Sequence, residues 1–168
     1  VTPLQSASGE RSFTLRAETL KNIANNGRAL FNFATLVPGA LSQNTGNTEL
    51  GSVSGFTVNG QRPNSNNITI DGVSNIDTGD NGGNMATTNV DAVAEFKILT
   101  NAYQAEYGRA VGGQMQVVTK SGTQQFRGSG YWFGRRSDWD ANTWLNNREG
   151  LPKAETSRND SGYTIGGP

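Results

Sequence analysis

Hydrophobic and polar residues alternate with a period of two in several short segments of this chain. Such alternation is typical of strands that bury one face, whereas apolar residues three or four apart mark one face of a helix. The alternation predicts strands at 12–16, 55–60, 67–72, 95–100, 114–119, 123–135 and 157–166. Helical spacing lies in 17–37 and is interrupted at 25–27, and the apolar stripe of its second half consists of Leu30, Phe33, Ala34 and Val37.

The polar segments between these elements predict turns and loops. Residues 61–66 are rich in turn formers, so the strands on either side are expected to pair as a hairpin. Asp71-Gly72 is a turn signal, because Gly tolerates positive φ and Asp caps the turn. Residues 73–89 are predicted to be irregular, and 103–107 to form one short helical turn between two strands. Gly108 and the pair Gly112-Gly113 are expected to let the backbone turn tightly or approach another surface closely.

The composition predicts a small core with long loops and excludes several kinds of chemistry. Hydrophobic residues make up 33% of the 168, with 22 Gly and a mean hydropathy of −0.57. The formal net charge of zero gives no sign of nucleic-acid binding. The sequence has no Cys and no His, which excludes disulfides, thiolate or imidazole zinc sites and Ser-His-Asp catalysis. We therefore expect neither an enzyme nor a bound cofactor.

The acidic residues give no sign of a catalytic or metal site. Asp91 and Glu95 lack the partner arrangement that acid–base catalysis needs. Asp71, Asp77 and Asp80 offer oxygen ligands for Ca²⁺, but their spacing fits neither an EF-hand nor a glycine-aspartate repeat. No metal site is therefore expected.

A series of short motifs recurs in one known family. The motif residues are Asp71, Gly72, Glu106, Tyr107, Gly108, Arg109, Gly112, Gly113, Thr119 and Lys120. In this order and spacing they resemble the plug domain of TonB-dependent outer-membrane receptors. In that family an acidic helix start, an aromatic-Gly step, a Gly-Gly pair and a Thr-Lys step precede the barrel. Further on, 126–131 reads FRGSGY, which is similar to the barrel entry of the Oar-like branch.

The resemblance implies an α+β fold in two parts. Residues 1–122 would form the plug domain, a small mixed sheet with short helices and long loops. Residues 123–168 would supply the first antiparallel β-hairpin of a 22-stranded transmembrane β-barrel. At roughly 3.3 Å per residue, 123–135 spans about 40 Å, enough for a tilted membrane-crossing strand. We expect Tyr131 and Phe133 to face lipid, and the glycine-rich opposite face to approach the barrel interior.

The same resemblance implies a location and a function. The receptor would lie in the outer membrane of a Gram-negative cell, with the plug facing the periplasm and the barrel lumen. It would gate energy-coupled uptake of a small polar ligand such as a glycan, a peptide or a metal chelate. The TonB protein would engage a segment upstream of Val1 by strand addition. Membrane lipid is the other expected partner, and no nucleic acid is expected.

Three polar loops, 41–54, 62–66 and 74–88, are expected to cluster at one end of the plug and to contact the ligand. Their candidate ligand-binding residues are Asn44, Asn47, Arg62, Asn64, Asn66, Asp77, Asp80 and Asn81. Asn, Asp and Gly also fill loops simply because they tolerate turns. For any single residue the structural explanation is therefore the simpler one.

A second class of protein fits part of the pattern. It is an exported, soluble carbohydrate-binding or adhesion module whose Asn- and Gly-rich loops bind glycans. Such a module would be a complete domain that stays monomeric without detergent. A plug followed by a barrel hairpin would instead leave the strand edges of 123–168 without partners once they are separated from the other barrel strands.

Overall fold

The computed structural model describes residues 9–25, 28–42, 56–77, 79, 84–86, 88–101, 107–108 and 111–168. The chain divides into two units, Val1–Lys120 and Ser121–Pro168. The first unit contains β1 (Arg11–Arg16), α1 (Ala17–Asn22), β2 (Ala40–Ser42), β3 (Phe56–Val58), β4 (Asn67–Ile70), β5 (Val73–Ser74), β6 (Val93–Asn101) and β7 (Gln114–Thr119). It also has 3₁₀ helices at Leu30–Leu36, Pro63–Ser65 and Val90–Ala92. The second unit contains β8 (Arg127–Arg136), a 3₁₀ helix at Ser137–Trp139, α2 (Trp144–Glu149) and β9 (Ser157–Gly166).

The main sheet of the first unit has five strands in the order β1-β6-β7-β4-β5. Neighbouring strands are antiparallel except β4 and β7, which run parallel. One row of side chains crosses four strands, because Ile98 pairs with both Phe13 and Met115, and Met115 pairs with Ile68. The mixed sheet with few short helices confirms the predicted α+β class.

The predicted hairpin between 55–60 and 67–72 is wrong. β3 pairs with β2 in a separate two-stranded sheet, and β4 joins the main sheet beside β7. All three residues of β3 are buried, so this strand packs into the core instead of extending the main sheet. The parallel partner of β4, almost fifty residues away, leaves no signal in the local sequence. The turn formers at 61–66 instead suggested that the two strands on either side pair with each other.

The core lies between the main sheet and the 3₁₀ helix Leu30–Leu36. The four residues of the predicted apolar stripe are all buried, as are Phe96, Ile98, Met115 and Val117 on the sheet. Phe31 meets Phe96 edge to face, with ring centroids 6.2 Å apart and planes at 76°. As the predicted interruption at 25–27 indicated, this region divides into α1 and a second helix, which is 3₁₀ and not α. Between them Arg28 has a left-handed φ of 53°, and Asn25 Nδ2 donates to the Ala29 carbonyl.

The Gly112-Gly113 pair allows β7 to begin close against another part of the chain. A Cβ on Gly113 would lie 2.5 Å from Val58 Cγ2, and one on Gly112 would lie 2.5 Å from Asn66 Oδ1. The Gly112 amide donates to the Ser65 carbonyl at 2.9 Å. The close approach expected of these glycines is therefore confirmed, and no larger residue fits without displacement.

The second unit is a hairpin of two ten-residue strands, registered from Arg127 opposite Gly166 to Arg136 opposite Ser157. Its connection contains α2, in a segment whose polar residues predict a loop. Thr143 Oγ1 accepts from the Asn146 amide, and Gly150 ends the helix with φ 69°. This N-cap and C-terminal Gly were readable signals, but a six-residue polar helix has no apolar stripe to reveal it.

The second unit differs from the first in burial. No residue of 121–168 is buried, and Trp132, Tyr163 and Ile165 are among its most exposed side chains. Across the part of the chain that the structure describes, the helices are all too short and too polar to span a lipid bilayer.

Candidate functional site

The turn between β4 and β5 is built by Asp71 and Gly72. Both have positive φ, 48° and 81°, which is the left-handed geometry that tight hairpin turns require. The Asp71 carboxylate accepts two hydrogen bonds from Thr119, one from its backbone amide at 2.8 Å and one from its hydroxyl at 2.7 Å. These bonds lower the pKa of Asp71. Two motifs separated by nearly fifty residues thus meet where β7 ends.

Lys120, the residue after Thr119, makes further contacts at the end of β7. Its backbone amide donates to the Ala92 carbonyl at 2.8 Å, and its ammonium donates to the Asp91 carbonyl. The pKa of Lys120 is lowered by partial desolvation of the ammonium and by nearby Lys21, while Asp91 opposes the shift. Lys120 is therefore anchored to the 3₁₀ helix that precedes β6.

Asp91 links this helix to a third part of the chain, because its carboxylate pairs with the Arg28 guanidinium. Both side chains are about four-fifths buried, so the pair is less screened by solvent than an exposed one. The isolated Asp91 of the sequence is thus half of an ion pair whose partner is sixty-three residues away. We call Arg28, Asp71, Asp91, Thr119 and Lys120 the strand-end cluster.

The strand-end cluster fixes structure and does not resemble a reactive centre. It holds two cationic and two anionic side chains, and each of them contacts a neighbour within the first unit. Within the described ranges, no group of three His, Cys, Asp or Glu residues is placed to hold a metal ion. The cluster ties β4, β6 and β7 together just before the chain leaves the first unit.

The predicted ligand residues have unlike environments. Arg62, Asn64 and Asp77 are exposed. Asn66 is buried, with its Nδ2 donating to the Phe56 carbonyl at 2.7 Å and its Oδ1 accepting from the Gly113 amide at 2.8 Å. Because its amide is engaged inside the domain, a ligand role for Asn66 stays a prediction that would require these bonds to break.

The remaining predicted residues lie outside the described part of the chain. They are Asn44, Asn47, Asp80, Asn81, Glu106 and Arg109. Of the motif residues between β6 and β7, the structure describes Tyr107 and Gly108, the first half-buried and the second exposed. The ligand-binding assignments therefore stay predictions.

Two of the three predicted ligand loops start from the same end of the main sheet. Residues 62–66 lead directly into β4, and β5 runs antiparallel to β4, so the chain after Ser74 returns toward the end where β4 begins. Buried Asn75 closes the base of this second loop, since its side chain exchanges two hydrogen bonds with the backbone of Ala86, each 2.9 Å long. Asn75 was not predicted, because the sequence does not distinguish an Asn that holds a loop by hydrogen bonds from one that only occupies it.

Comparison with known families decides what this arrangement is. A model of the TonB-dependent receptor plug domain matches residues 8–114, and a model of an outer membrane beta barrel domain matches 118–168. The chain belongs to the TonB-dependent receptor plug family. Its family resemblance and its location in the outer membrane of Gram-negative cells are thereby confirmed, and the soluble adhesion module is set aside.

Individual relatives agree with this family. The TonB-dependent transporter Oar of Myxococcus xanthus is 29% identical over 150 residues, which cover 84% of this chain. The outer membrane transporter YddB from Escherichia coli superposes with a TM-score of 0.67 at 17% identity over 92% of this chain. The siderophore receptor PirA from Acinetobacter baumannii gives 0.63 at 18% identity over 94%. The chain spans 13% of the length of Oar, 23% of YddB and 22% of PirA.

These relatives are named as transporters and receptors, not as enzymes. The low identity of YddB and PirA means that they establish the fold alone. The comparisons therefore establish that this chain contains the plug of a TonB-dependent receptor.

Proposed function

We propose that this plug gates energy-coupled uptake of a small polar ligand, a glycan, a peptide or a metal chelate, through the barrel that 123–168 begins. TonB would bind a segment upstream of Val1 by strand addition and pull on it. The observation that carries the proposal is the position of β1, which is the edge strand of the main sheet and the first strand to receive that pull.

β1 is held less firmly than the strands behind it. Among the described strands it pairs only with β6, and Leu15 is its single buried residue. An ion pair between Glu10 and Lys97, 2.8 Å long, adds to the backbone ladder. Few buried contacts at an edge favour local opening before global unfolding, so β1 would separate first.

The strands farther in have the opposite character. β6 and β7 carry Phe96, Ile98, Met115 and Val117, each at most 1% exposed, and the strand-end cluster ties their ends to β4. These strands would stay folded while β1 leaves. Movement of β1 would then open a path beside a plug that remains anchored.

The exposed loops support a polar ligand without narrowing its class. Arg62, Asn64 and Asp77 present one cation, one amide and one anion, which suits hydrogen bonding more than the capture of an apolar molecule. PirA is a siderophore receptor, but this chain shares only its fold. Glycans, peptides and chelates therefore all remain in the proposal.

Removal of the plug tests gating without knowledge of the ligand. Deletion of 9–120 from the full-length receptor should leave an open barrel and raise the sensitivity of cells to vancomycin, a hydrophilic antibiotic too large for ordinary porins. Sensitivity equal to that of cells with the intact receptor, at equal amounts of inserted barrel, would contradict a gating role.

A cysteine lock tests the movement of β1. Thr14 and Lys97 are paired across β1 and β6, so Thr14→Cys/Lys97→Cys in the full-length receptor should form a disulfide between these strands. Fluorescent glycans, peptides and ferric chelates would first be screened for accumulation that requires TonB. The oxidised lock should then abolish accumulation but not surface binding, and dithiothreitol should restore it. Each single variant is a control, and full accumulation by the oxidised pair would show that β1 does not need to separate.

A further inference from the structure

The two faces of the β8–β9 hairpin differ in chemistry, and the strand register decides which residues share a face. Residues opposite each other in an antiparallel pair point to the same side of the sheet. One side, the apolar face, carries Gly128, Gly130, Trp132, Gly134, Asn159, Ser161, Tyr163 and Ile165. The other side, the polar face, carries Arg127, Ser129, Tyr131, Phe133, Arg135, Arg158, Asp160, Gly162 and Thr164.

The apolar face is open and uncharged along its central length. Trp132, Tyr163 and Ile165 are 64%, 83% and 77% exposed. The Trp132 ring lies over Gly134, where a Cβ would come within 2.8 Å of it. Arg136, the last residue of β8, is the only charged residue of the two strands that points to this side. The large exposed side chains of this face are therefore aromatic or aliphatic, and its charge is confined to one end.

The polar face is organised by contacts among its own side chains. The hydroxyls of Ser129 and Thr164 lie 2.6 Å apart, across the strand pair. The Tyr131 ring covers Gly162 on the opposite strand and lies 5.8 Å from the Phe133 ring. The two aromatic residues thus pack along the sheet, among four charged side chains on the same side.

We propose that the apolar face contacts the acyl chains of the outer membrane, and that the polar face lines the barrel interior. Each strand has ten residues, the length that a tilted barrel strand needs to cross a bilayer. Charged side chains such as Asp160 and Arg158 are costly to place in hydrocarbon, whereas barrel interiors are polar. This assignment reverses the expectation that Tyr131 and Phe133 face lipid, because β9 adds Tyr163 and Ile165 to the glycine side.

Spin labels on the full-length receptor in liposomes test the assignment. Single cysteines would replace Trp132 and Ile165 on the apolar face, and Ser129 and Thr164 on the polar face. Labels at 132 and 165 should collide more with oxygen, which dissolves in the bilayer, and labels at 129 and 164 more with a water-soluble nickel chelate. The reverse pattern, or the same ratio at all four positions, would overturn the proposal.

Two adjacent lysine substitutions give a second measurement that needs no label. Ile165→Lys should lower the amount of folded receptor in the outer membrane several-fold, because the charge would enter hydrocarbon. Thr164→Lys should leave that amount nearly unchanged, since its side chain would enter the aqueous interior. Equal yields of the two variants would overturn the assignment. Neither readout needs ligand or TonB, so the result is independent of the uptake proposal.

Discussion

The plug and the hairpin use the same two-residue alternation for different surroundings. In β6 the alternation separates Phe96 and Ile98, which are fully buried, from Glu95 and Lys97, which are partly exposed. In β8 and β9 both alternating faces remain open, and no residue of 121–168 is buried. The plug strands bury one face in the core of their own unit, whereas both faces of the hairpin strands are exposed. A period of two thus indicates a strand but not the medium on either side of it.

The two units also differ in how they use ion pairs. In the plug, Arg28 and Asp91 pair while largely buried. In the hairpin, Arg135 of β8 pairs with Asp140 of the connection at 3.0 Å, and both side chains remain almost half exposed. Solvent screens the second pair far more than the first. Matched substitutions should therefore reduce stability more in the plug than in the hairpin.

The largest effect is expected from the plug core. Phe96→Ala removes a fully buried ring and its edge-to-face contact with Phe31, which should destabilise the plug by about 3–5 kcal/mol. Trp132→Ala, on the open face of the hairpin, should leave the plug unchanged. Hydrogen exchange of plug peptides in the full-length receptor measures both. Equal effects on plug protection would contradict the separate core.

Glycine substitutions should distinguish the two units at a smaller scale. Gly113→Ala places a methyl group against Val58, and overpacking of this kind destabilises by about 1–3 kcal/mol. Gly130 has open space around its Cβ direction, so Gly130→Ala should change stability by less than about 0.5 kcal/mol. Hydrogen exchange in urea would measure the stability of both variants. A tolerated Gly113→Ala would mean that β3 and β7 can move apart without loss.

The ion pairs should give a further, weaker contrast. Asp91→Asn keeps the shape of the side chain but removes its charge opposite Arg28, which should destabilise the plug by about 1 kcal/mol. Asp140→Asn removes the charge of the exposed pair and should cost well under about 1 kcal/mol. Added salt should reduce the effect of Asp140→Asn more than that of Asp91→Asn. A larger loss from Asp140→Asn, measured by hydrogen exchange of each unit, would reverse the predicted order.

The smallest effect should appear only with changing pH. Hydrogen bonds from Thr119 lower the pKa of Asp71 in the folded state, so its stabilising contribution is present above the ordinary Asp value of about 3.9. That contribution is lost as the pH falls through the lowered value of the folded state. Asp71→Asn should therefore weaken the acid dependence of amide protection at Thr119. Asn also tolerates the left-handed φ of this position.

Two results would speak against this role of Asp71. One is an unchanged acid dependence of Thr119 protection in Asp71→Asn. The other is an equal change in Glu10→Gln, since the pKa of Glu10 is also lowered, chiefly by its hydrogen bond with Lys97 at the other edge of the sheet. Either result would place the titrating group away from the β4–β5 turn.

The site was predictable only in part. Asp71, Thr119 and Lys120 stood out as motif residues, and the glycine pair was expected to permit close approach. Their contacts were not readable, because Thr119 meets Asp71 only after β4 and β7 pair in parallel. Asp91 had no partner along the sequence, since its partner Arg28 lies in the distant segment between α1 and the 3₁₀ helix Leu30–Leu36.

The sequence by itself determined the strands β1, β6, β7 and β9, the apolar stripe of Leu30–Leu36 and the family, because each follows from local spacing or from a motif. Only the tertiary structure decided that β3 pairs with β2 and that β4 runs beside β7. It also decided that Tyr163 and Ile165 of β9 lie on the same face as Trp132 and the glycines of β8. Pairing and register depend on contacts between distant residues, and a shift of one residue in register would move every side chain of a strand to the opposite face.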